Sequence, residues 1–389
     1  MSMTTFAPVR IAVRRTAVAL GAAALLFAGS AGAQTASANW RSHVDNELDF
    51  QLRVPSHLEA QGRVDARGLF SEVLSFRAPA AGKVEAHAFV PQIQVGQYLY
   101  TIEAGESLYD WTLRYRDFDG SSELNAMVDE IEDTRVGGHE AVYVRGTSDL
   151  GAFQYFNVRR GETVWFLWSN FPGTRTQGMG RSLNRVAASF QFGDRAPQSL
   201  VEIYGFGFPV RTLDEAMTAA SSATEVATRV SSSWWAPLLK NGASQWSITC
   251  GSSFHTNGAR FAADVAASSG TSVKNAYAGA VVFSGWDTSG YGNLVKIGPS
   301  GGYHHYYAHL SSTSVTSGSS PGQGVEVGKV GNTGTSAVHL HHQVQSGASQ
   351  STATGITLVG MVGFTDNAAD NWYPSNDGVS HYSCAWMGR

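Results

Sequence analysis

Val338-His339-Leu340-His341-His342 is the stretch on which the reading of this chain turns. In a β-strand, side chains two apart project from the same face. His339 and His341 therefore point together, and His342 turns away. Two imidazoles on one strand face suit a zinc ion with a catalytic neighbour; a histidine-rich strand with solvated rings is the plain alternative. Eight of the twelve histidines lie beyond residue 250, so the residue type is concentrated around this strand. Upstream, Tyr303-His304-His305-Tyr306-Tyr307-Ala308-His309-Leu310 alternates so that Tyr303, His305, Tyr307 and His309 share a face. If that strand neighbours the His339 strand, His309 stands beside His339. His304, His305 and His342 read as surface or supporting groups and are left out of the site. Further upstream, His255 precedes Asp264 by nine residues.

The surroundings predict short strands. Val273–Tyr277, Ala280–Trp286, Leu294–Ile297, Tyr303–Leu310 and Val338–Gln345 are strand-like, and glycines such as Gly279, Gly285, Gly292, Gly298, Gly328, Gly331 and Gly334 punctuate them. With 43 glycines, 15% charged residues and no long helical pattern here, residues 233–389 read as an all-β domain with a twisted antiparallel sheet. Residues 34–195 read instead as an α+β domain. Leu48, Phe50, Leu52 and Val54 alternate up to Pro55; Ser107 to Tyr115 and Gly180–Phe190 carry helical patterns. Ala141–Gly146, Phe153–Val158 and Thr163–Trp168 are strand-like, the last two joined by a hairpin through Gly161-Glu162. Residues 196–232 read as a connector, with an amphipathic helix over Leu213 to Val230 and a boundary at Ser231-Ser232-Ser233.

A formal net charge of −4 without a basic stripe argues against nucleic acid as a partner. Residues 1–33 read as a cleavable signal peptide: Arg10, Arg14 and Arg15 precede an apolar core, and Ala31-Gly32-Ala33 follows as a small-x-small site. No later stretch is apolar for long enough to span a membrane. The expectation is a secreted or periplasmic protein. Export into an oxidising compartment and an even cysteine count predict a disulfide between Cys250 and Cys384, against the alternative of two free thiols. The serine- and alanine-rich connector also makes residues 34 to about 230 a candidate pro-region removed on maturation.

The C-terminal motifs, taken in order, resemble the lysostaphin-type and β-lytic zinc metallopeptidases that cut bacterial cell-wall peptides. The matching pieces are His255…Asp264-Val265-Ala266, Gly290-Tyr291-Gly292-Asn293-Leu294-Val295-Lys296-Ile297, Tyr307-Ala308-His309-Leu310, Gly331-Asn332-Thr333-Gly334 and His339-Leu340-His341. The resemblance implies that His255, Asp264 and His341 hold Zn²⁺, and that His309 and His339 serve catalysis. It implies a zinc metalloendopeptidase acting on peptidoglycan. The alternative is a non-catalytic cell-wall binding or regulatory module of the same fold; a broader protease acting on glycine-rich peptides is a third reading. Three departures stand out. The His–Asp spacing is longer than in lysostaphin, Val338 stands where proline is usual, and His342 replaces an aromatic residue. The order of elements over 34–195 loosely resembles the PsbP-like α+β fold.

Overall fold

A computed structural model describes residues 40–61, 73–77, 92–121, 127–148, 151–171, 179–204, 209–226, 247–250, 262–276, 278–300, 303–335 and 338–346. The expected signal peptide, His255, Cys384 and the boundary near 231–233 lie outside the described residues. Among the described residues, no helix is long and apolar enough to cross a membrane.

The first half runs β1 (Trp40–Asp45), β2 (Phe50–Pro55), β3 (Glu59–Gln61), β4 (Val73–Arg77), β5 (Gln92–Gln97), α1 (Leu108–Phe118), β6 (Met127–Val136), β7 (His139–Ser148), β8 (Gly151–Arg160), β9 (Thr163–Phe171), α2 (Met179–Ser189), β10 (Gln191–Phe192), α3 (Leu200–Tyr204) and α4 (Leu213–Val226). Seven strands form an antiparallel sheet in the order β3-β4-β5-β9-β8-β7-β6, and β1-β2-β10 forms a smaller one. This is the α+β layer that the periodicities predict. Local chemistry sets the elements. Phe50, Leu52 and Val54 are buried while Gln51 and Arg53 are exposed, as a half-buried strand requires. Ser107 caps α1, its Oγ accepting from the Asp110 amide at 3.1 Å. Asp110 in the first turn and Arg116 in the last complement the helix dipole. Arg160 pairs with Thr163, so Gly161-Glu162 closes a two-residue hairpin, and Gly161 takes the positive φ (64°) that such a turn needs.

The second half runs β11 (Ser247–Cys250), β12 (Ala262–Ala266), β13 (Ser272–Lys274), β14 (Val281–Asp287), β15 (Gly292–Ser300), β16 (Tyr303–Leu310), β17 (Ser312–Thr313), β18 (Glu326–Lys329) and β19 (Leu340–Ser346). An antiparallel sheet takes the order β11-β12-β19-β16-β15-β14, and β13-β18-β17 makes a second layer. Among the described residues this half contains no helix. The all-β reading holds.

The large sheet of the first half has two covered faces. Ile93, Val95, Trp165 and Leu167 pack in one core with Leu183, Val186 and the β2 residues. Their neighbours Phe166, Trp168 and Tyr155 face the other way, into a core that also takes in α1 and the second half: Trp111 and Tyr115 with Phe283, Trp286, Tyr291, Leu294, Tyr306 and Ala308. Phe166 stacks on Trp286 with ring centroids 4.2 Å apart, and Trp168 meets the same indole edge-on at 5.5 Å. Tyr100 Oη donates to the Ser284 carbonyl (2.6 Å) and Tyr115 Oη to the Trp286 carbonyl (2.7 Å). The two halves thus share an apolar core, and the Tyr100 and Tyr115 hydroxyls are satisfied across the seam.

Candidate metal centre

Strand register builds the site. Directly opposed residues on antiparallel strands project to the same face. Asp264 on β12 opposes His341 on β19, and His341 in turn opposes Ala308 on β16. Asp264 Oδ1 stands 3.0 Å from His341 Nδ1 and 3.5 Å from His339 Nε2. The His309 ring lies 4.8 Å from His339 and 5.6 Å from His341, centroid to centroid. All four side chains are buried: Asp264 is 7% exposed, His339 5%, His309 4% and His341 1%. The structure therefore brings together four of the five site residues named from the sequence; the fifth, His255, lies outside the described residues.

His309 arrives by a route that alternation misses. Tyr307 pairs with His342 on one face, and a regular strand places His309 on that face too. The pairing of β15 with β16 instead shifts register between Val295↔Tyr307 and Asn293↔Leu310, leaving two residues of β16 opposite one of β15. This is a β-bulge, and His309 takes φ 57° within it, one of two positive-φ non-glycine residues among those described. The bulge re-aims the imidazole towards His339 and His341. The expectation that Tyr303, His305, Tyr307 and His309 share a face is corrected accordingly. The reading of His304, His305 and His342 as surface or supporting groups is corrected in part. His305 and His342 are fully buried on the opposite face of the sheet, where the His342 ring stacks on His305 at 5.9 Å and on Tyr307 at 5.2 Å. Burial holds the His305 imidazole down to about 3 and His342 well below the usual range, so both stay neutral.

Hydrogen bonds assign one tautomer directly. His309 Nδ1 lies 2.8 Å from the Thr333 carbonyl oxygen, which only accepts. Nδ1 therefore carries the proton, and Nε2 of the neutral ring keeps its lone pair. Burial first, and the neighbouring His339 and His341 next, hold this imidazole well below its ordinary pKa. The Thr333 loop is tightly held in turn: Thr333 Oγ1 donates to the Leu310 carbonyl at 2.7 Å, and the Gly334 amide donates to Gln94 Oε1 of β5 at 2.9 Å.

The donor set fits zinc. An imidazole Nδ1 and a carboxylate oxygen 3.0 Å apart repel unless a cation, proton or metal, lies between them. Donor atoms on one tetrahedral zinc, with bonds of about 2.0–2.1 Å, sit about 3.3 Å apart, close to the two separations seen here. Among the described residues, no group of three histidine, cysteine, aspartate or glutamate side chains makes a complete metal-holding cluster, and the expected third ligand is His255. Cys250 sits on β11; Cys384, its expected disulfide partner, lies outside the described residues.

Comparison with known proteins gives the class. Residues 259–353 match Peptidase family M23. Over 82 residues the chain is 33% identical to Lipoprotein NlpD of Yersinia enterocolitica, spanning 21% of this chain and 84% of that protein. It is 28% identical over 204 residues to the uncharacterized lipoprotein YgeR of Escherichia coli, 51% of this chain and 80% of that protein. The chain belongs to Peptidase family M23. Among solved structures, the catalytic domain of the antimicrobial peptidase lysostaphin from Staphylococcus simulans is 34% identical, covering 24% of this chain and 71% of that one, with a TM-score of 0.23. A cyanobacterial PsbP from Synechocystis is 13% identical, covering 42% of this chain and 98% of that one, with a TM-score of 0.29.

Proposed function

We propose that this protein is a zinc metalloendopeptidase acting on peptide bonds of bacterial peptidoglycan, exported beyond the inner membrane. The observation that carries the reading is the buried pair Asp264 and His341, directly opposed on β12 and β19, with His339 and His309 in ring contact beside it. His255, Asp264 and His341 would hold the ion. Zinc bound there supplies a Lewis acid for the scissile carbonyl and makes water acidic enough to attack near neutral pH. His309 takes the proton of the attacking water on Nε2, because its Nδ1–H is committed to the Thr333 carbonyl. His339 then donates to the oxygen that gains negative charge as the carbonyl carbon becomes tetrahedral. After collapse, His309 returns the proton to the leaving amine.

The cell-wall substrate and the envelope address rest on the family and on relatives that are lipoproteins or, in lysostaphin, an antimicrobial peptidase. Mass analysis of digested peptidoglycan tests them. A zinc-loaded chain is expected to release fragments bearing one new amino terminus and one new carboxyl terminus, and chelation to stop this reversibly. Intact peptidoglycan after incubation with the zinc-loaded chain counts for the non-catalytic wall-binding alternative.

The first half is proposed as a cover over the catalytic face. His341 shares its sheet face with Ala308, and Tyr306 lies two residues before Ala308 on the same face. Both belong to the core shared with Phe166 and Trp168. Gln94 also braces the loop whose Thr333 carbonyl orients His309. Cutting the full chain with a specific protease at a site inserted within 227–246, then separating the halves, is expected to raise hydrolysis at least tenfold. Equal rates for cut and uncut chain would remove the cover from the account. Removal also has a cost, since Trp286, Leu294 and Tyr306 lose their partners.

A further inference from the structure

Two residues beyond His341 on β19, Gln343 projects to the same face of the sheet and is fully buried. Its Oε1 lies 3.1 Å from His341 Nε2 and accepts from Tyr291 Oη at 3.0 Å. Tyr291, itself 2% exposed, also sets its ring edge-on to the His341 imidazole, with centroids 5.3 Å apart and planes at 69°. The amide oxygen of Gln343 thus meets two groups, a phenol and an imidazole nitrogen, on the side of His341 remote from Asp264.

We infer that Gln343, braced by Tyr291, is a positioning residue that fixes His341 with its proton on Nε2 and its Nδ1 lone pair aimed at the space shared with Asp264. This rests on the metallopeptidase reading above. The chemistry follows from the donor inventory. An amide oxygen only accepts, so the contact with Nε2 is a hydrogen bond only when Nε2 carries the proton. A neutral imidazole has one N–H, and placing it on Nε2 leaves Nδ1 as the electron-pair donor facing the carboxylate. Groups that hold the far nitrogen of a metal-binding histidine set its tautomer and ring orientation, and losing them weakens metal affinity about 10–100-fold. Tyr291 acts one step further out. Its hydroxyl holds the amide oxygen in place, and its ring limits rotation of the imidazole.

The test measures zinc affinity of the full chain by competition with a chromophoric chelator, together with hydrolysis. Gln343→Leu, close in size but without an acceptor, is expected to weaken zinc binding about 10–100-fold. Gln343→Glu keeps an acceptor at the same reach and is expected to restore affinity to within about threefold of the parent. Tyr291→Phe keeps the ring and is expected to show a smaller loss than Gln343→Leu. A long-range ¹H–¹⁵N spectrum of the imidazoles in the unmutated, zinc-loaded chain needs no substitution and is expected to place the His341 proton on Nε2. A proton on Nδ1 overturns the inference even if Gln343→Leu fails to fold. So does unchanged zinc affinity in a folded Gln343→Leu. A parent chain that holds no zinc at all overturns the metallopeptidase reading first and this inference with it.

Discussion

His341→Ala is expected to lose zinc and peptide hydrolysis together, whereas His309→Ala is expected to keep zinc and lose about 10²–10⁴-fold in kcat, the range typical of a removed acid–base group. The contrast follows from position. His341 directly opposes Asp264, with Nδ1 3.0 Å from the carboxylate, so its removal leaves that oxygen without its nearest nitrogen partner. His309 has its Nδ1 committed to the Thr333 carbonyl, and its ring contacts His339 and His341. It is placed to handle a proton. His339→Ala should behave like His309→Ala, with zinc retained, although its Nε2 lies 3.5 Å from the same carboxylate oxygen. Zinc titration of the purified variants beside single-turnover hydrolysis separates the two classes. Zinc lost from His339→Ala but kept by His341→Ala would reverse the pair, and equal retention by both would remove His341 from the ligands.

Much of this site is legible in the sequence alone. A period of two puts His339 and His341 on one face, and the motif order named Asp264 and His309 as their companions. Alternation over Phe50–Val54, the helix from Ser107 and the hairpin at Gly161 were equally plain, because each depends on contacts within a few residues. Four features escaped for physical reasons. The bulge that turns His309 around is set by the register between β15 and β16, a non-local pairing that no single strand records. His305 and His342 looked peripheral because polar side chains usually mark a solvated face. A sheet covered on both sides has no such face, and β13–β18–β17 supplies the second layer, with Tyr307 Oη accepting from the Ala276 amide just beyond β13. Short strands such as β12 and β18 carry too few residues for a period to show. The aromatic core was visible as composition only. Nothing in the order of Trp286 or Tyr306 says that their partners are Phe166 and Trp168, more than a hundred residues upstream.

That shared core contains a charged seam, and it yields the other large effect. Arg116 at the end of α1 is buried, 4% exposed, with Nη1 donating to Tyr155 Oη at 3.2 Å. Beside it Asp119 accepts from the Thr288 amide (2.9 Å) and Thr288 Oγ1 (2.8 Å), tying the first half to the second. Asp287 is buried just before, its Oδ1 accepting from the amides of Ser289, Gly290 and Tyr291, while its Oδ2 has no hydrogen-bond partner among the described residues. Tyr98, Tyr115 and Tyr155 also face this cluster, and burial raises all three so that they stay neutral; the Lys296 ammonium lies beside Gly120, next to Asp119. The Arg116 charge thus acts on both carboxylates. Desolvation pushes Asp119 up, and desolvation with repulsion from Asp119 pushes Asp287 up to about 7. Carboxyls raised in the folded chain bind protons more tightly there than when unfolded, so they favour folding at low pH, and that contribution is lost as pH rises from about 4 to about 7. Arg116→Met removes a buried cation whose charge acts on both acids. It is expected to lower the unfolding free energy by about 1.5–3 kcal/mol at pH 8, through the lost hydrogen bond to Tyr155 and the lost charge that acts on both buried acids. At pH 5 the loss should shrink, because the acids take up protons instead. Asp287→Asn in the parent background should flatten the pH dependence between pH 5 and pH 8. Urea unfolding of the three chains at both pH values decides it: an Arg116→Met deficit that is equal at pH 5 and pH 8 would show that the carboxylates are not what the guanidinium answers. Because this seam joins the two halves across the shared core, Arg116→Met at pH 8 should also loosen the cover and raise peptidoglycan hydrolysis under conditions where the chain remains folded.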